Sequence, residues 1–228
     1  MTSDLRRELI LSAAKRCFAR SGFAGTTTKS IAAAASISEG LLFKHFPTKS
    51  ALYAAILAEA CEADPKLVTL LGLAPSTETL VVLIRGMVGH FLQTSDAPDE
   101  EEAQRLRLMI TSQLDDGEFA RVLYEKIGDL IGSVFTASLR RAVETGDASE
   151  VGQRPINLFW FAHHMVLQLV LTKLPPTDCL SYGETARFER QVCEFILRGI
   201  GLNEKAIAAH LDREVPPDLM PQRTAESA

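Results

Sequence analysis

The chain is poor in aromatic residues, in cysteine and in net positive charge. Phe, Trp and Tyr make up 7% of its 228 residues, with a single tryptophan. The four cysteines, Cys17, Cys61, Cys179 and Cys193, lie far apart, form no Cys-x-x-Cys pair and have no histidine at ligand spacing. That pattern excludes a disulfide scaffold or zinc module and fits a reducing, cytoplasmic compartment. A formal charge of −5 excludes a protein that coats nucleic acid or anionic lipid over its whole surface. The N-terminus has no apolar run behind its charges, so no signal peptide is expected. Catalytic signatures are missing too: there is no nucleophile with its base, no paired carboxylates, no glycine-rich phosphate loop and no His-Glu-x-x-His. Asp115, Asp116 and Glu118 lack calcium-loop spacing and read as capping acids at a helix break. No enzyme, metal or cofactor is expected.

What is present is 46% hydrophobic and 23% charged, the composition of a folded chain with a core. No stretch alternates strictly between hairpin turn pairs, and 3.6-residue spacing dominates, so the fold class is all-α. The first helix spans 3–20, with Leu9, Ile10, Ala13, Ala14, Cys17 and Phe18 as its apolar stripe, and Gly22 and Gly25 end it. Any of Thr26, Thr27 and Thr28 can cap a short helix over 31–35. Another short helix covers 39–46, stopped by Pro47, and a longer one runs over about 49–63. Further helices are expected at 66–73, 77–94, 99–114, 118–145, 155–174, 182–200 and 204–213. The acid run from Asp99 to Glu102 reads as first-turn acids facing a helix dipole. Residues 155–172 carry no formal charge, near the length of a short membrane span. Asn157, His163, His164 and Gln168 would each be costly in hydrocarbon, so a helix buried between protein surfaces is expected.

Charge is divided unevenly. Residues 1–50 hold eight Lys/Arg (Arg6, Arg7, Lys15, Arg16, Arg20, Lys29, Lys44, Lys49) against three acids (Asp4, Glu8, Glu39), and the rest holds 16 basic and 26 acidic side chains. Opposite halves suggest two jobs. Within the basic half, two short helices about a tight turn have helix-turn-helix geometry. Leu42 and Phe46 lie four apart and can pack on Ile31 and Phe18, which turns Ser38, Glu39, Leu41, Lys44 and His45 outward. Such a helix fits a major groove, with hydroxyls and lysines on phosphate.

Gly22-Phe23-x-Gly25-Thr26-Thr27, Ile31-Ala32 and Gly40-Leu41-Leu42-Phe43-Lys44-His45-Phe46-x-x-Lys49 resemble the DNA-binding domain of the tetracycline-repressor (TetR) family. The resemblance covers about residues 8–58. It implies a ligand-responsive regulator, most simply a repressor, whose first helices bind operator DNA and whose larger helical domain dimerises and binds a small effector. It implies that Thr27 and Thr28 meet phosphate, that Ser38, Glu39, Gly40 and Leu41 enter the groove, and that Phe43, Lys44, His45 and Lys49 hold backbone or base edges. Lys49 opens a helix, where its cation gains nothing from the dipole, so it reads as a phosphate ligand or a solvated surface lysine. Glu39 reads equally as an acceptor from a cytosine amino group or as an acid favoured at a helix start. The chain departs from the family in Leu41, where many members have Thr, Ser or Asn, and in Phe43, which cannot donate a tyrosine's hydrogen bond.

The expected domains are a helix-turn-helix over 1–50, an effector-binding and dimerisation domain over 51–214, and a loose polar tail over 215–228. One short helix supplies too little contact for selective binding, so a homodimer is expected on paired half-sites of double-stranded DNA. Its seam is expected on the two apolar helices at 155–174 and 182–200, through Phe159, His163, Val166, Val170, Phe188, Val192 and Phe195. Met87, His90, Phe91, Met109, Gln113, Tyr124, Phe135 and Trp160 are the candidate lining for a small, largely apolar effector, though such residues at helical spacing also serve simply as core. His163 and His164 point about 100° apart, so only one can face a given cavity. The rival to all this is a helical scaffold or partner-binding protein that binds no DNA.

Overall fold

The computed structural model describes residues 3–60, 69, 71–96, 100–115, 117–172, 179–180 and 182–213. Ten helices lie among them: α1 (Ser3–Gly25), α2 (Thr28–Ala34), α3 (Glu39–His45), α4 (Lys49–Ala60), α5 (Thr77–Asp96), α6 (Glu100–Leu114), α7 (Glu118–Glu144), α8 (Pro155–Leu171), α9 (Thr185–Gly199) and α10 (Glu204–Leu211). The described residues include no strand; Ala148 and Leu202 form an isolated antiparallel bridge. The chain is all-α, as its periodicity requires. The expected helix over 66–73 falls partly, and the expected tail wholly, outside the described residues.

The chain forms two compact units, Met1–Glu62 with Pro98–Gly128 and Ala63–Ala97 with Asp129–Ala228. A boundary near residue 50 does not divide it this way: α4, α6 and the first turns of α7 join the helix-turn-helix. Tertiary contacts decide this. α6 packs along α1, where the Thr111 hydroxyl donates to the Ala19 carbonyl at 3.2 Å. The rings of Phe18 and Phe23 each lie 5.0 Å from that of Tyr53, which reaches Phe119 at 6.4 Å.

In α1, Ile10, Ala13, Ala14 and Phe18 are buried, whereas Leu9 is 46% exposed, so the apolar stripe is narrower than expected. The helix runs five residues past the expected stop at residue 20, but it is broken at Gly22, where φ is 66°. A Cβ there would lie 2.5 Å from Asp115 Oδ2, so both the backbone and the approach of Asp115 call for glycine.

The second unit is built around α5, which buries Leu80, Val81, Ile84, Val88 and Leu92 and packs against α8, α9 and α10. The α7–α8 connection is tied to the α9–α10 connection: Ser149 N–H donates to the Gly201 carbonyl at 2.9 Å, and Asn203 N–H to the Asp147 carbonyl at 3.0 Å. Asp147 also accepts from the Thr77 and Thr145 hydroxyls at 2.7 and 3.0 Å. These bonds, Thr77's foremost, hold its carboxyl below the usual range. Gly201 has φ 102°, and a Cβ on it would lie 2.3 Å from the Ser149 carbonyl oxygen.

The expected dimer seam needs correcting. Phe159, His163, Val166, Val170, Phe188 and Val192 are buried within their own chain, and of the seven only Phe195 is exposed, at 66%. On α8 the exposed aromatic residue is Phe161, at 67%. A helix that is apolar all round shows which residues avoid water, not which of its faces turns towards its own chain. The two histidines separate as their spacing requires: His163 is buried and His164 exposed. No helix among the described residues is long and apolar enough to cross a membrane.

Candidate nucleic-acid interface

The three consecutive threonines do three different things. Thr26 is buried, and its hydroxyl donates to the Gly22 carbonyl at 2.7 Å, which ties the break in α1 to the start of α2. Thr27 is the N-cap of α2 in a reciprocal capping box: it accepts from Ser30 N–H at 3.1 Å, while its own N–H donates to Ser30 Oγ at 3.2 Å. Thr28 donates to Glu39 Oε1 at 2.7 Å, which joins the first turn of α2 to that of α3.

The turn between these helices runs through Ser36, whose φ of 54° lies in the left-handed region. Ile37 N–H donates back to the Ala32 carbonyl at 3.0 Å, closing the C-terminus of α2 in a Schellman-like turn. Ser38 then caps α3 by accepting from Leu41 N–H at 3.2 Å. Leu42 and Phe46 are buried, as are Ile31 and Phe18, the expected anchor of α3. Opposite them, Gly40, Phe43 and Lys44 are exposed, while Glu39, Leu41 and His45 are half-buried. A Cβ on Gly40 would meet nothing within 4 Å, so the first turn of α3 presents bare backbone outward.

Lys49 has partners inside the chain. Its Nζ donates to the Phe23 carbonyl at 2.6 Å and to the Thr26 carbonyl at 3.0 Å, and lies 4.2 Å from the centre of the Phe23 ring. Its charge is therefore met inside the chain: α4 begins with a cation that braces the α1–α2 connection. Glu39 and Thr28 likewise satisfy one another, so with the capping hydroxyls of Thr27 and Ser38 five of the ten expected contact residues help shape the head. Among the described residues, the Lys44 side chain has neither a hydrogen bond nor an ion pair. Sequence reasoning missed Arg7, whose guanidinium lies 4.5 Å from the centre of the Phe46 ring. The only signal for it was its membership of the basic half.

The eight candidate effector residues do not fall in one unit. Met109, Gln113 and Tyr124 belong to the first, where Gln113 Nε2 donates to the Tyr124 hydroxyl at 2.7 Å. Burial pushes the Tyr124 phenol up. In the second unit the aromatic candidates cluster: His90 with Phe91 (5.6 Å), Phe91 with His163 (5.2 Å), Trp160 with His163 (5.6 Å) and Phe135 with Phe159 (5.6 Å). Met87 is half-buried, one turn earlier on α5. Desolvation lowers His163 to about 4, so it is neutral at physiological pH.

A capped, exposed second helix on a basic helix-turn-helix, joined in one chain to an all-helical unit, is the architecture found in helical regulators that bind DNA. Residues 10–56 match the family model of bacterial regulatory proteins, tetR family. That match takes in α2, α3 and parts of α1 and α4. It is 32% identical over 137 residues to the HTH-type transcriptional repressor Rv1474c of Mycobacterium tuberculosis, covering 60% of this chain and 65% of that one. It is 28% identical over 140 residues to the HTH-type transcriptional repressor AcnR of Corynebacterium glutamicum, covering 61% and 67%. The chain thus spans about two thirds of the length of these relatives. Its fold is similar to that of SmeT, the repressor of the Stenotrophomonas maltophilia multidrug efflux pump SmeDEF, with a TM-score of 0.61, 24% identity and coverage of 95% and 96%. It is also similar to a tetR-family regulatory protein from Rhodococcus RHA1, with a TM-score of 0.59, 19% identity and coverage of 90% and 100%.

Proposed function

We propose that the protein is a cytoplasmic, sequence-specific transcriptional repressor that binds operator DNA as a homodimer and is released by a small, largely apolar effector. The observation that carries this is the outer surface of α3, where Gly40, Phe43 and Lys44 stand exposed on a helix whose other face is anchored in the core. Gly40 lets the backbone approach a groove floor, Leu41 meets a thymine methyl, and Lys44, His45, Thr27 and Ser38 bind phosphate or base edges. Thr28, Glu39 and Lys49 hold that surface in shape. The repressor names of the relatives support this reading over a helical scaffold, which has no use for a basic, precisely capped head.

The exposed Phe161 and Phe195 supply the dimer contact, which sets two heads about one helical turn of DNA (~34–36 Å) or a multiple apart. In the second unit Met87, His90, Phe91, Phe135 and Trp160 meet the effector, and an effector that prefers a different head spacing shifts the population off DNA. The test is fluorescence anisotropy on a duplex recovered from random-sequence DNA by selection with the full chain. Lys44→Ala weakens binding and lowers the log–log salt slope by about one. Failure of the wild-type chain to select any duplex at low salt contradicts the proposal. Phe161→Asp with Phe195→Asp turns a dimer into a monomer in light scattering.

A further inference from the structure

We infer that Arg7 is a phosphate-binding residue of the head, held beside the last turn of α3 by its stack on Phe46. This rests on the DNA-binding reading above and names a contact outside the family-like motif. Phe46 is the C-cap residue of α3; its N–H donates to the Leu42 carbonyl at 2.9 Å and the residue is 3% exposed. The ring is therefore a fixed plate at the end of the helix that carries Lys44 and His45. Arg7 itself is exposed on α1, and its guanidinium lies against that plate, 4.5 Å from the ring centre. Stacking uses the flat face of a guanidinium and leaves its N–H edge free to grip two oxygens in plane.

Other cations of α1 are occupied differently. Lys15 pairs with Glu59 at 2.9 Å, and Arg16 donates to Ser12 Oγ at 2.9 Å. Arg7 has no carboxylate partner among the described residues, although Asp4 precedes it by three and Glu8 follows it directly. Its charge stands at the same end of α3 as that of Lys44, where a backbone phosphate can meet both cations. A stacked arginine is also pre-organised, since the plate has already removed much of its rotamer freedom. The ligand is the phosphodiester backbone of duplex DNA flanking the groove that α3 enters.

The experiment compares wild type, Arg7→Ala, Arg7→Lys and Lys44→Ala on the selected duplex across a salt series, with thermal unfolding of each. Arg7→Ala lowers the log–log slope by about one and weakens binding severalfold. Arg7→Lys keeps the slope, because the charge remains, but still binds more weakly because an ammonium neither stacks flat nor bonds two oxygens in plane. A merely structural stack gives the opposite pattern: Arg7→Ala lowers the melting temperature and leaves the slope unchanged, which overturns the inference. If Lys44→Ala lowers the slope while Arg7→Ala does not, only the Arg7 inference fails. If wild type itself shows no salt-dependent binding, the DNA-binding reading fails with it.

Discussion

The two units are held together by different means. In the first, polar side chains bond to backbone at nearly every turn: Thr26 to Gly22, Thr27 and Ser38 to the amides they cap, and Lys49 to two carbonyls. In the second, apolar side chains fill the space around α5, polar side chains tie the connections at Thr79, Asp147 and Asn203, and ion pairs lie over the surface. Arg198 meets Glu204 at 2.6 Å and Glu194 at 3.3 Å, Arg190 pairs with Asp212, and Arg213 meets Glu78 at 3.3 Å. Exposed pairs of this kind contribute about 0–1 kcal/mol each. Directional bonds to backbone over-determine a turn and fix the pose of the exposed α3. Apolar packing fills volume and tolerates exchange of one hydrophobic residue for another.

The contrast can be broken in four places. The largest effect is expected where the second unit does rely on backbone geometry: Gly201→Ala combines a forbidden φ with a collision against Ser149 and costs roughly 3 kcal/mol in urea unfolding. Next, Lys49→Met removes two charged hydrogen bonds from the first unit and costs about 2 kcal/mol. If Lys49 is a brace, the salt slope of DNA binding stays the same in this variant while stability falls.

His163 probes the apolar unit by pH. Because its folded pKa is depressed to about 4, both states are neutral there at pH 7.5 and no penalty applies. Below about 6.5 the unfolded chain takes up a proton that the folded chain refuses, so stability falls as pH drops through that window, by about 2 kcal/mol at pH 5. Thermal melts of wild type and His163→Leu at matched pH read this difference directly; parallel curves contradict it. The smallest effect is a gain. Ser36→Gly relieves the left-handed residue in the turn and stabilises the first unit by about 0.5–1 kcal/mol, measured as a shift in denaturation midpoint.

The difference between the units also governs how much was legible in the sequence. Short-range rules specified the head: hydroxyls before a helix cap it, Pro47 ends α3, and Leu42 and Phe46 four apart make one face. Those rules located α3 and its buried face; of the five residues expected outward, Ser38 and Lys44 are exposed while Glu39, Leu41 and His45 are half-buried. They could not show that Lys49, 26 residues along the chain from Phe23, would fold back on its carbonyl, nor that Arg7 would lie on Phe46, because both depend on packing between separate helices. In α8 the failure was of another kind. Phe159, Val166 and Phe161 carry the same hydrophobic signal, and only the positions of α5 and α9 decide that the first two turn inward and the third outward.

The central claim is that the outer face of α3 occupies the major groove of duplex DNA at two symmetric half-sites. Methylation interference on the selected duplex tests it most directly, because guanine N7 lies on the major-groove edge. The account predicts two clusters of interfering guanines, one helical turn or a multiple apart. Interference confined to adenine N3 in the minor groove, or none at any guanine, contradicts it.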